Sequence, residues 1–343
     1  MYYILEQLIG SLKMGEQPIL AVIVKSDGSS PRKAGARMLI LPDGSICGSI
    51  GGGMVEKECR RKAGEIFAGL RNFVYINFDH AHPAAGPEGM VCSGSVTVLL
   101  QRVMPDDLSV FTKLYQGCKG QEKLLLITRL PKYDGKAEEP PEFIRSDELP
   151  KEIAKIIAEQ NKGDGRPFIA ATGENEFLIE PISYPGTLYI MGAGHVSQAV
   201  AYLASYAGFA VVVMDDRPEF ASKARFPEAK QLIILPDFKN CLSGQGAGDY
   251  VVIAARSHAY DRDALEQALK TRAGYIGMIG SLKKRNVIYG QLEAKGFTKA
   301  ELARVHCPIG LPIAAETPAE IGVSIVAELI QARAAYQKLV RDF

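Results

Sequence analysis

The sequence lacks three features that are typical of nucleic-acid-binding, membrane and exported proteins. Its 343 residues carry a formal net charge of +1, so no surplus of charge attracts nucleic acid or an anionic membrane. No apolar run reaches the roughly 18 residues that are needed to span a bilayer. The first residues lack the basic segment and the apolar segment of a signal peptide. A cytoplasmic location is therefore expected.

Paired cysteines are lacking as well. The six cysteines are spread along the chain without a CxxC pair, so neither a zinc knuckle nor a disulfide framework is indicated. In a reducing compartment they are expected to be free thiols. Cys92 and Cys307 differ from the others because they lie in loops rich in glycine or proline. These two thiols are the ones to consider as ligands.

What the sequence does contain is typical of a globular protein. Hydrophobic residues make up 47% of the chain and charged residues 23%, which argues against disorder. A chain of 343 residues is long enough for two domains that each bury a core of their own. No internal repeat and no segment of low complexity is apparent.

The first half has the pattern of a mixed α/β domain. The pair Asp43-Gly44 indicates a hairpin, because glycine supplies the backbone conformation that a tight turn requires. Glycine and proline punctuate the chain between Asn161 and Gly186, which is where we place the end of this domain. The predicted domains are 1–182 and 183–343. Strands are predicted over 19–24, 37–41, 45–50, 72–78, 96–103 and 124–130, and helices over 3–13, 54–70, 106–116 and up to about residue 160.

The second half alternates strands and helices, which predicts a Rossmann-like, doubly wound parallel sheet. A long final helix is predicted from Thr317, because Thr317 can cap it, Pro318 suits its first position and Glu320 completes a capping box. The predicted strands are 188–191, 210–214, 232–235, 250–254 and 275–279.

A glycine-rich turn follows the first strand of that sheet. Gly192 allows a tight turn, Gly194 lets the backbone approach a pyrophosphate, and His195 opens a helix whose N-terminal N–H groups favour anions. The third glycine of such turns is replaced by Ser197, which is still small. This context predicts a nucleotide-like ligand, although a glycine turn with a purely structural role remains the alternative.

Two acids and an arginine stand at the end of the next strand. Asp215 follows Gly194 by 21 positions and is succeeded by Asp216 and Arg217. An acid at this place suits a ribose 2′-hydroxyl, as in NAD, whereas Arg217 could accept the 2′-phosphate of NADP. The acids favour NAD and the arginine favours NADP.

Further polar residues follow the later strands, at the sheet edge where ligands bind in such folds. His258 comes after the fourth strand, Gly280 and Ser281 come after the fifth, and His306 and Cys307 precede the last helix. A histidine here could act as an acid or base, but an ordinary solvated side chain is an equal alternative. Ser281 could bind an anion or simply cap its helix.

The first half holds a second set of candidates. Arg32 ends a polar turn that could bring its guanidinium to an anion. The glycines Gly51, Gly52 and Gly53 and the acid Glu56 stand where a helix begins, which is another possible anion site. This is not a P-loop, because the Lys-Ser/Thr pair is missing. Cys92 places a thiol in a glycine-flanked loop.

Taken together, these segments resemble the XdhC/CoxI family, the accessory proteins of molybdenum hydroxylases. The resemblance touches both halves and leaves only about residues 103–185 unmatched. The sequence departs from the family's pattern at Cys307 and at Ser93, which replaces a glycine of the family's Cys-Gly-Gly turn. The matching segments are Gly28–Arg32, Gly35-Ala36, Met38, Asp43-Gly44, Gly48–Glu56, Cys92–Gly94, Gly192–His195, Asp216–Pro218, Ser257-His258 with Asp261, Tyr275–Gly277, Gly280-Ser281, Pro308–Leu311, and Thr317-Pro318 with Glu320–Ile325.

The resemblance implies a chaperone that binds molybdenum cofactor, as molybdopterin or its dinucleotide, protects it, and delivers it to a hydroxylase such as xanthine dehydrogenase. It implies a homodimer and a cysteine desulfurase as a further partner. It also implies that the Cys92 thiol contacts molybdenum or a transferable sulfur, with a buried, inert thiol as the alternative. The leading alternative is an NAD(P)-dependent oxidoreductase with His195 or His258 as acid or base. A redox-sensing, NAD-binding regulator is less favoured, because neither a helix-turn-helix nor a basic face is apparent.

Overall fold

The computed structural model describes residues 2–28, 32–79, 94–119, 124–131, 140–144, 149–160, 167–173, 175–182 and 186–342. The chain divides into two compact units, Met1–Ser183 and Tyr184–Val340. Among the described residues, no helix is both long and apolar enough to cross a membrane.

Two antiparallel sheets form the first unit. One has five strands in the order β3-β2-β1-β5-β4, and the other has four in the order β7-β6-β9-β8. The strands are β1 (Ile19–Asp27), β2 (Arg37–Ile40), β3 (Ile46–Gly48), β4 (Phe73–Asp79), β5 (Ser95–Arg102), β6 (Leu124–Leu130), β7 (Glu142–Ile144), β8 (Phe168–Thr172) and β9 (Asn175–Ile182), and the helices are α1 (Tyr2–Lys13), α2 (Gly53–Phe67), α3 (Leu108–Lys119) and α4 (Lys151–Gln160).

The two faces of the five-stranded sheet are covered differently. On one face, buried side chains of α2 such as Cys59 and Ile66 pack against the strands. On the other face, Val22 and Leu99 pack against Leu130 and Leu178 of the four-stranded sheet. Burial on both faces explains why β1 is apolar along most of its length instead of alternating.

The sequence analysis missed three strands, and two of them lie in the stretch that we took for an interdomain break. These are β8 and β9, and the third is the short β7. A buried charge hides the pattern of β9, because Glu180 reads as polar although it is buried and forms an ion pair with the buried Arg37 of β2. Pro181 further weakens the strand signal.

The second unit is a Rossmann-like fold, as predicted. Its sheet has the order β12-β11-β10-β13-β14-β15, and every pairing is parallel. The sequence analysis missed only β15 of these strands. The strands are β10 (Thr187–Met191), β11 (Ala210–Asp215), β12 (Gln231–Ile234), β13 (Tyr250–Ile253), β14 (Tyr275–Met278) and β15 (Val305–His306), and the helices are α5 (His195–Tyr206), α6 (His258–Leu269), α7 (Leu282–Glu293), α8 (Lys299–Leu302) and α9 (Pro318–Asp342).

The strand order determines where a ligand can bind. The chain runs from β10 outward through β11 to β12, and then returns to place β13 on the other side of β10. The order therefore reverses at the carboxyl end of β10, and a crevice opens at such a point in doubly wound sheets. Separate apolar clusters cover the two faces, one containing Val251 and Ile276 and the other containing Val252 and Leu329.

Candidate functional site

The glycine turn lies at the point where the strand order reverses, and its two glycines have different roles. Gly192 has a φ of 112°, and a Cβ atom there would lie 2.2 Å from the carbonyl oxygen of Ala254. Its N–H donates to the Met214 carbonyl at 2.7 Å. Gly194, in contrast, has an extended backbone, and a Cβ atom there would meet no described atom within 4 Å. The fold requires Gly192, whereas Gly194 leaves open space at the start of α5.

Asp215 is directed into the protein. It is buried and accepts hydrogen bonds from the Ala193 N–H at 2.7 Å and from the Arg217 N–H at 3.0 Å. The Arg217 guanidinium adds two more, from Nε at 2.9 Å and Nη2 at 3.1 Å. Burial raises the pKa of Asp215, but the hydrogen bonds from Arg217 and Ala193 outweigh it and hold the pKa below its ordinary value. Asp215 and Arg217 thus fasten the glycine turn to the end of β11.

Asp216 is oriented differently from its neighbour. Its Oδ2 accepts a hydrogen bond from Nη2 of Arg256 at 2.7 Å. The other oxygen, Oδ1, is buried and has no hydrogen-bond partner among the described residues. The nearest guanidinium nitrogen of Arg217 lies 3.8 Å from Oδ1, beyond hydrogen-bond distance. One carboxylate oxygen of Asp216 therefore keeps its capacity to accept a hydrogen bond.

A cationic cluster covers one side of the turn. The guanidinium carbons of Arg217 and Arg225 lie 3.7 Å and 4.8 Å from the ring centre of Phe220. Arg225 also donates to the Ala193 carbonyl at 3.3 Å and to Gln198 at 2.8 Å. These contacts hold both guanidinium groups in place beside the start of α5.

The residues that were predicted after the later strands begin helices. His195 and His258 are the first residues of α5 and α6, and His258 is exposed. Ser281 accepts from the Lys284 N–H at 3.2 Å and so caps α7, which is one of its two predicted roles. Gly280, with a φ of 151°, packs closely against the Lys284 side chain. An acid–base or ligand role of either histidine stays a prediction.

Lys284 and Asp261 form an ion pair that the sequence analysis missed. The ammonium nitrogen lies 2.5 Å from Oδ2 of the buried Asp261 and donates to the Ile279 carbonyl at 2.9 Å. The second oxygen of Asp261 accepts from the Ala255 N–H at 3.0 Å. These bonds fix the segment that follows β13.

His306 belongs to a network around the carboxylate of Glu328. Its Nδ1 lies 2.7 Å from Glu328, and its ring stacks on Tyr275 at 4.5 Å. Glu328 also accepts from the Tyr275 hydroxyl at 2.7 Å and the Gly310 N–H at 2.6 Å. Burial raises the pKa of Glu328, but the hydrogen bonds from His306, Tyr275 and Gly310 lower it below the ordinary value. The network joins α9 to the loop that follows β15.

In the first unit, Glu56 binds the glycine turn ahead of α2. Its Oε1 accepts from the Ser49 hydroxyl at 2.7 Å, the Gly52 N–H at 2.9 Å and the Ile50 N–H at 3.2 Å. Burial raises the pKa of Glu56, yet these bonds bring it below the ordinary value. Amides of the turn that was predicted to bind an anion are thus occupied by the protein's own carboxylate.

Beside this turn lies a cavity of about 390 Å³, lined by Ile46, Gly53, Glu56, Lys57 and Arg60. Arg32 is exposed, and Gly51 adjoins the same turn. Ser29–Pro31, Cys92 and Ser93 lie outside the described residues. A role for this cluster stays a prediction.

The described thiols are poor nucleophiles. Burial raises the pKa of Cys47 and Cys307, and raises that of Cys59 to about 12 and that of Cys241 to about 11. Within the described ranges, no group of three or more His, Cys, Asp or Glu side chains could hold a metal ion. Burial therefore disfavours the thiolate form of these four cysteines.

Two family descriptions match the chain. Residues 188–329 match the XdhC Rossmann domain, and residues 11–76 match the XdhC and CoxI family. The chain is also similar to a crystal structure from Bacillus halodurans that is described as a xanthine dehydrogenase. The TM-score is 0.74 with 26% identity, and the match covers 96% of this chain and 95% of that chain.

Three relatives extend this comparison. A protein of Bacillus subtilis that is described as a probable subunit of xanthine dehydrogenase is 27% identical, over 93% of this chain and 94% of that protein. The molybdenum cofactor insertion chaperone PaoD of Escherichia coli is 22% identical, over 96% of this chain and 88% of PaoD. YqeB of Escherichia coli, an uncharacterized protein, is 26% identical over 92% of this chain, which spans 43% of the length of YqeB.

Proposed function

We propose that this chain, which belongs to the XdhC and CoxI family, binds molybdenum cofactor and delivers it to a molybdenum hydroxylase such as xanthine dehydrogenase. The observation that carries the proposal is that the match to PaoD, a molybdenum cofactor insertion chaperone, extends over 96% of the chain and so includes both units. A cytoplasmic location belongs to the same proposal.

The second unit offers groups that suit the phosphate of a pterin cofactor. The turn that ends at Gly194 directs the N-terminal N–H groups of α5 to the crevice, where an anion is stabilised by the helix dipole. Arg256 places an exposed guanidinium at the same edge. A phosphate there would be held by charge-assisted hydrogen bonds.

The first unit is proposed to contribute the contact to molybdenum or to its transferable sulfur. A thiolate is a soft ligand that suits this chemistry, and the four described thiols are held protonated by burial. Of the two remaining cysteines, Cys92 and Cys118, our candidate is Cys92, because it lies in the glycine-flanked segment that resembles the family's Cys-Gly-Gly turn. A cysteine desulfurase is the proposed sulfur donor, and a homodimer is the proposed assembly.

The test is retention of the cofactor. Purified protein is incubated with molybdenum cofactor and desalted, and its molybdenum is measured by mass spectrometry for wild type, Cys92→Ala and Cys59→Ala. We expect about one molybdenum per chain for wild type, and a loss of about tenfold or more for Cys92→Ala, since a ligand bond is removed. Cys59→Ala is the control, because that thiol is buried and protonated.

Transfer of the cofactor to a molybdenum hydroxylase is the second measurement. Loaded wild-type protein should activate a molybdenum hydroxylase that lacks its cofactor, whereas unloaded protein should not. Absence of molybdenum from the wild-type protein after desalting would refute the chaperone role. Reproducible turnover of NAD(P)H with a small substrate would instead favour the oxidoreductase. Equal molybdenum in all three proteins would remove Cys92 from the mechanism.

A further inference from the structure

The helices α5 and α9 lie side by side on one face of the parallel sheet. Val200 of α5 and Leu329 of α9 are both buried in the apolar cluster that covers this face. Gly322 of α9 lies so close to α5 that a Cβ atom there would be 2.7 Å from the Cβ atom of Ala199. Because both helices bury one side in the same cluster, their opposite sides face away from the sheet together.

The sides that face away from the sheet carry large apolar side chains. Tyr202 and Tyr206 of α5 are 63% and 89% exposed, and Val323 and Ile330 of α9 are 49% and 42% exposed. The members of each pair are four or seven positions apart, which places them on the same side of their helix. We call these four residues the outer face.

The outer face lacks the charged side chains that a surface helix normally presents to water. α5 has no Asp, Glu, Lys or Arg among its 12 residues, although charged residues make up 23% of the chain. Over residues 321–336 of α9, the charged residues are Glu328 and Arg333. Glu328 accepts from the Tyr275 hydroxyl at 2.7 Å, and Arg333 donates to the Ala207 carbonyl at 3.1 Å. Both charges are thus used within the unit itself.

The size of this two-helix surface suits a protein contact. The 12 residues of α5 extend over about 18 Å, and residues 319–334 of α9 extend over about 24 Å. Two packed helices are about 20 Å wide, so the surface covers roughly 400 Å² in projection. Its accessible area is larger, because the side chains stand out from this plane. Stable interfaces begin at roughly 600 Å² of accessible surface per partner.

We infer that the outer face is the surface through which two copies of this chain associate. Two-fold pairing brings the same patch of both copies together, so one contact covers the apolar side chains of each. Homodimer interfaces are more apolar than transient ones, and interface centres are poor in charge and rich in tyrosine. A client enzyme that dissociates after delivery would favour a more polar surface. The homodimer itself belongs to the proposed function, on which this extension rests.

The test measures association of the full chain by sedimentation velocity over a range of protein concentrations. Wild type should form a dimer. Tyr202→Lys combined with Tyr206→Lys should weaken it by about 100-fold or more, since the two-fold axis brings each new charge into the contact twice. Ile330→Lys tests the second helix and should weaken the dimer by about tenfold or more. Lysines near the C-terminal end of α5 suit the helix dipole, so the double variant should keep its fold.

Val287→Lys is the matched control. Val287 is 53% exposed on α7, which packs on the opposite face of the sheet through Ile288. The control makes the same change from an exposed apolar side chain to lysine, and it should leave the dimer intact. Equal weakening by Val287→Lys and Ile330→Lys would reduce the effect to net charge and overturn the inference.

Hydrogen exchange locates the contact without a variant. Amides of α5 and of residues 319–334 should exchange about threefold or more slowly in the dimer than in diluted, monomeric protein, whereas α7 should be unchanged. A dimer that protects other elements, or that survives the lysine substitutions on both helices, would place the interface elsewhere and overturn the inference. So would a wild type that is monomeric at every concentration. Protection of the outer face only by an added molybdenum hydroxylase would assign it to the client instead.

The outcomes separate this inference from the delivery role. A monomeric wild type that retains molybdenum and transfers it would keep the delivery role and lose the inferred interface. A dimer whose variants behave as expected but which retains no molybdenum would keep the interface and lose the delivery role.

Discussion

At the scale of single residues, the two glycines of the turn separate folding from binding. A side chain at Gly192 would overlap the Ala254 carbonyl and would need a positive φ, so the fold depends on this glycine. Gly194 has neither constraint in the described structure. A side chain there would occupy the space through which a pyrophosphate approaches the helix.

We therefore predict opposite effects for two substitutions. Gly192→Ala should lower the free energy of unfolding by about 3 kcal/mol, from overpacking and backbone strain. Gly194→Val should change stability by less than about 1 kcal/mol and should weaken NAD and pterin dinucleotide binding by about tenfold, because it blocks the approach. Urea denaturation and calorimetric titration measure the two quantities. Unchanged affinity of Gly194→Val for both ligands would contradict a cofactor site at this turn.

The different roles of the two acids that follow β11 could not be predicted from the sequence. Asp215 and Asp216 are adjacent acids after one strand, and the pattern alone made either a partner for ribose. Their roles differ because Asp215 meets the Ala193 N–H, whereas Asp216 meets Arg256, which lies 40 positions along the chain. Contacts between residues so far apart depend on the strand order, which the local sequence does not encode.

At the scale of secondary-structure elements, Asp215 joins β11 to the turn between β10 and α5. Asp215→Asn replaces a carboxylate that accepts from Ala193 and from Arg217, and should lower the free energy of unfolding by about 2 kcal/mol at pH 7. The folded-state pKa of Asp215 lies below its ordinary value, so this stabilisation is complete above about pH 4. It is lost as the pH falls through the folded-state pKa.

Denaturant titrations at several pH values test whether the stabilisation by Asp215 is lost as the pH falls. The difference in unfolding free energy between wild type and Asp215→Asn should be constant from pH 7 to about pH 5 and should shrink below about pH 4. Glu293→Gln is the control, since Glu293 is exposed at the end of α7 and should leave stability nearly unchanged. A difference that grows as the pH falls would contradict the assignment.

Elements with local signals were predicted well, and elements that depend on distant partners were not. The start of α9 has the predicted capping box, with Thr317 and Glu320 bonded to each other's backbone N–H groups. The strand β9 was missed because Glu180 reads as an exposed charge, whereas it is buried together with its ion-pair partner Arg37 of β2. The two-residue β15 is too short to show any period.

At the scale of the whole molecule, the second unit has what a domain needs to fold alone. Apolar clusters cover both faces of its sheet, and its ion pairs, such as Lys284 with Asp261, join residues of the same unit. The glycine turn, Asp216 and Arg256 all belong to it. The residues around the glycine turn therefore come from the second unit alone.

We predict that residues 184–340 expressed alone fold cooperatively and bind NAD or a pterin dinucleotide within about twofold of the affinity of the full chain, since the glycine turn and the residues around it are retained. Circular dichroism on heating and calorimetric titration provide the measurements. The same fragment carrying Gly192→Ala is the control, and it should unfold at a lower temperature because its turn is overpacked. A fragment that is folded but binds neither ligand, while the full chain binds one of them, would show that the first unit contributes to the binding site.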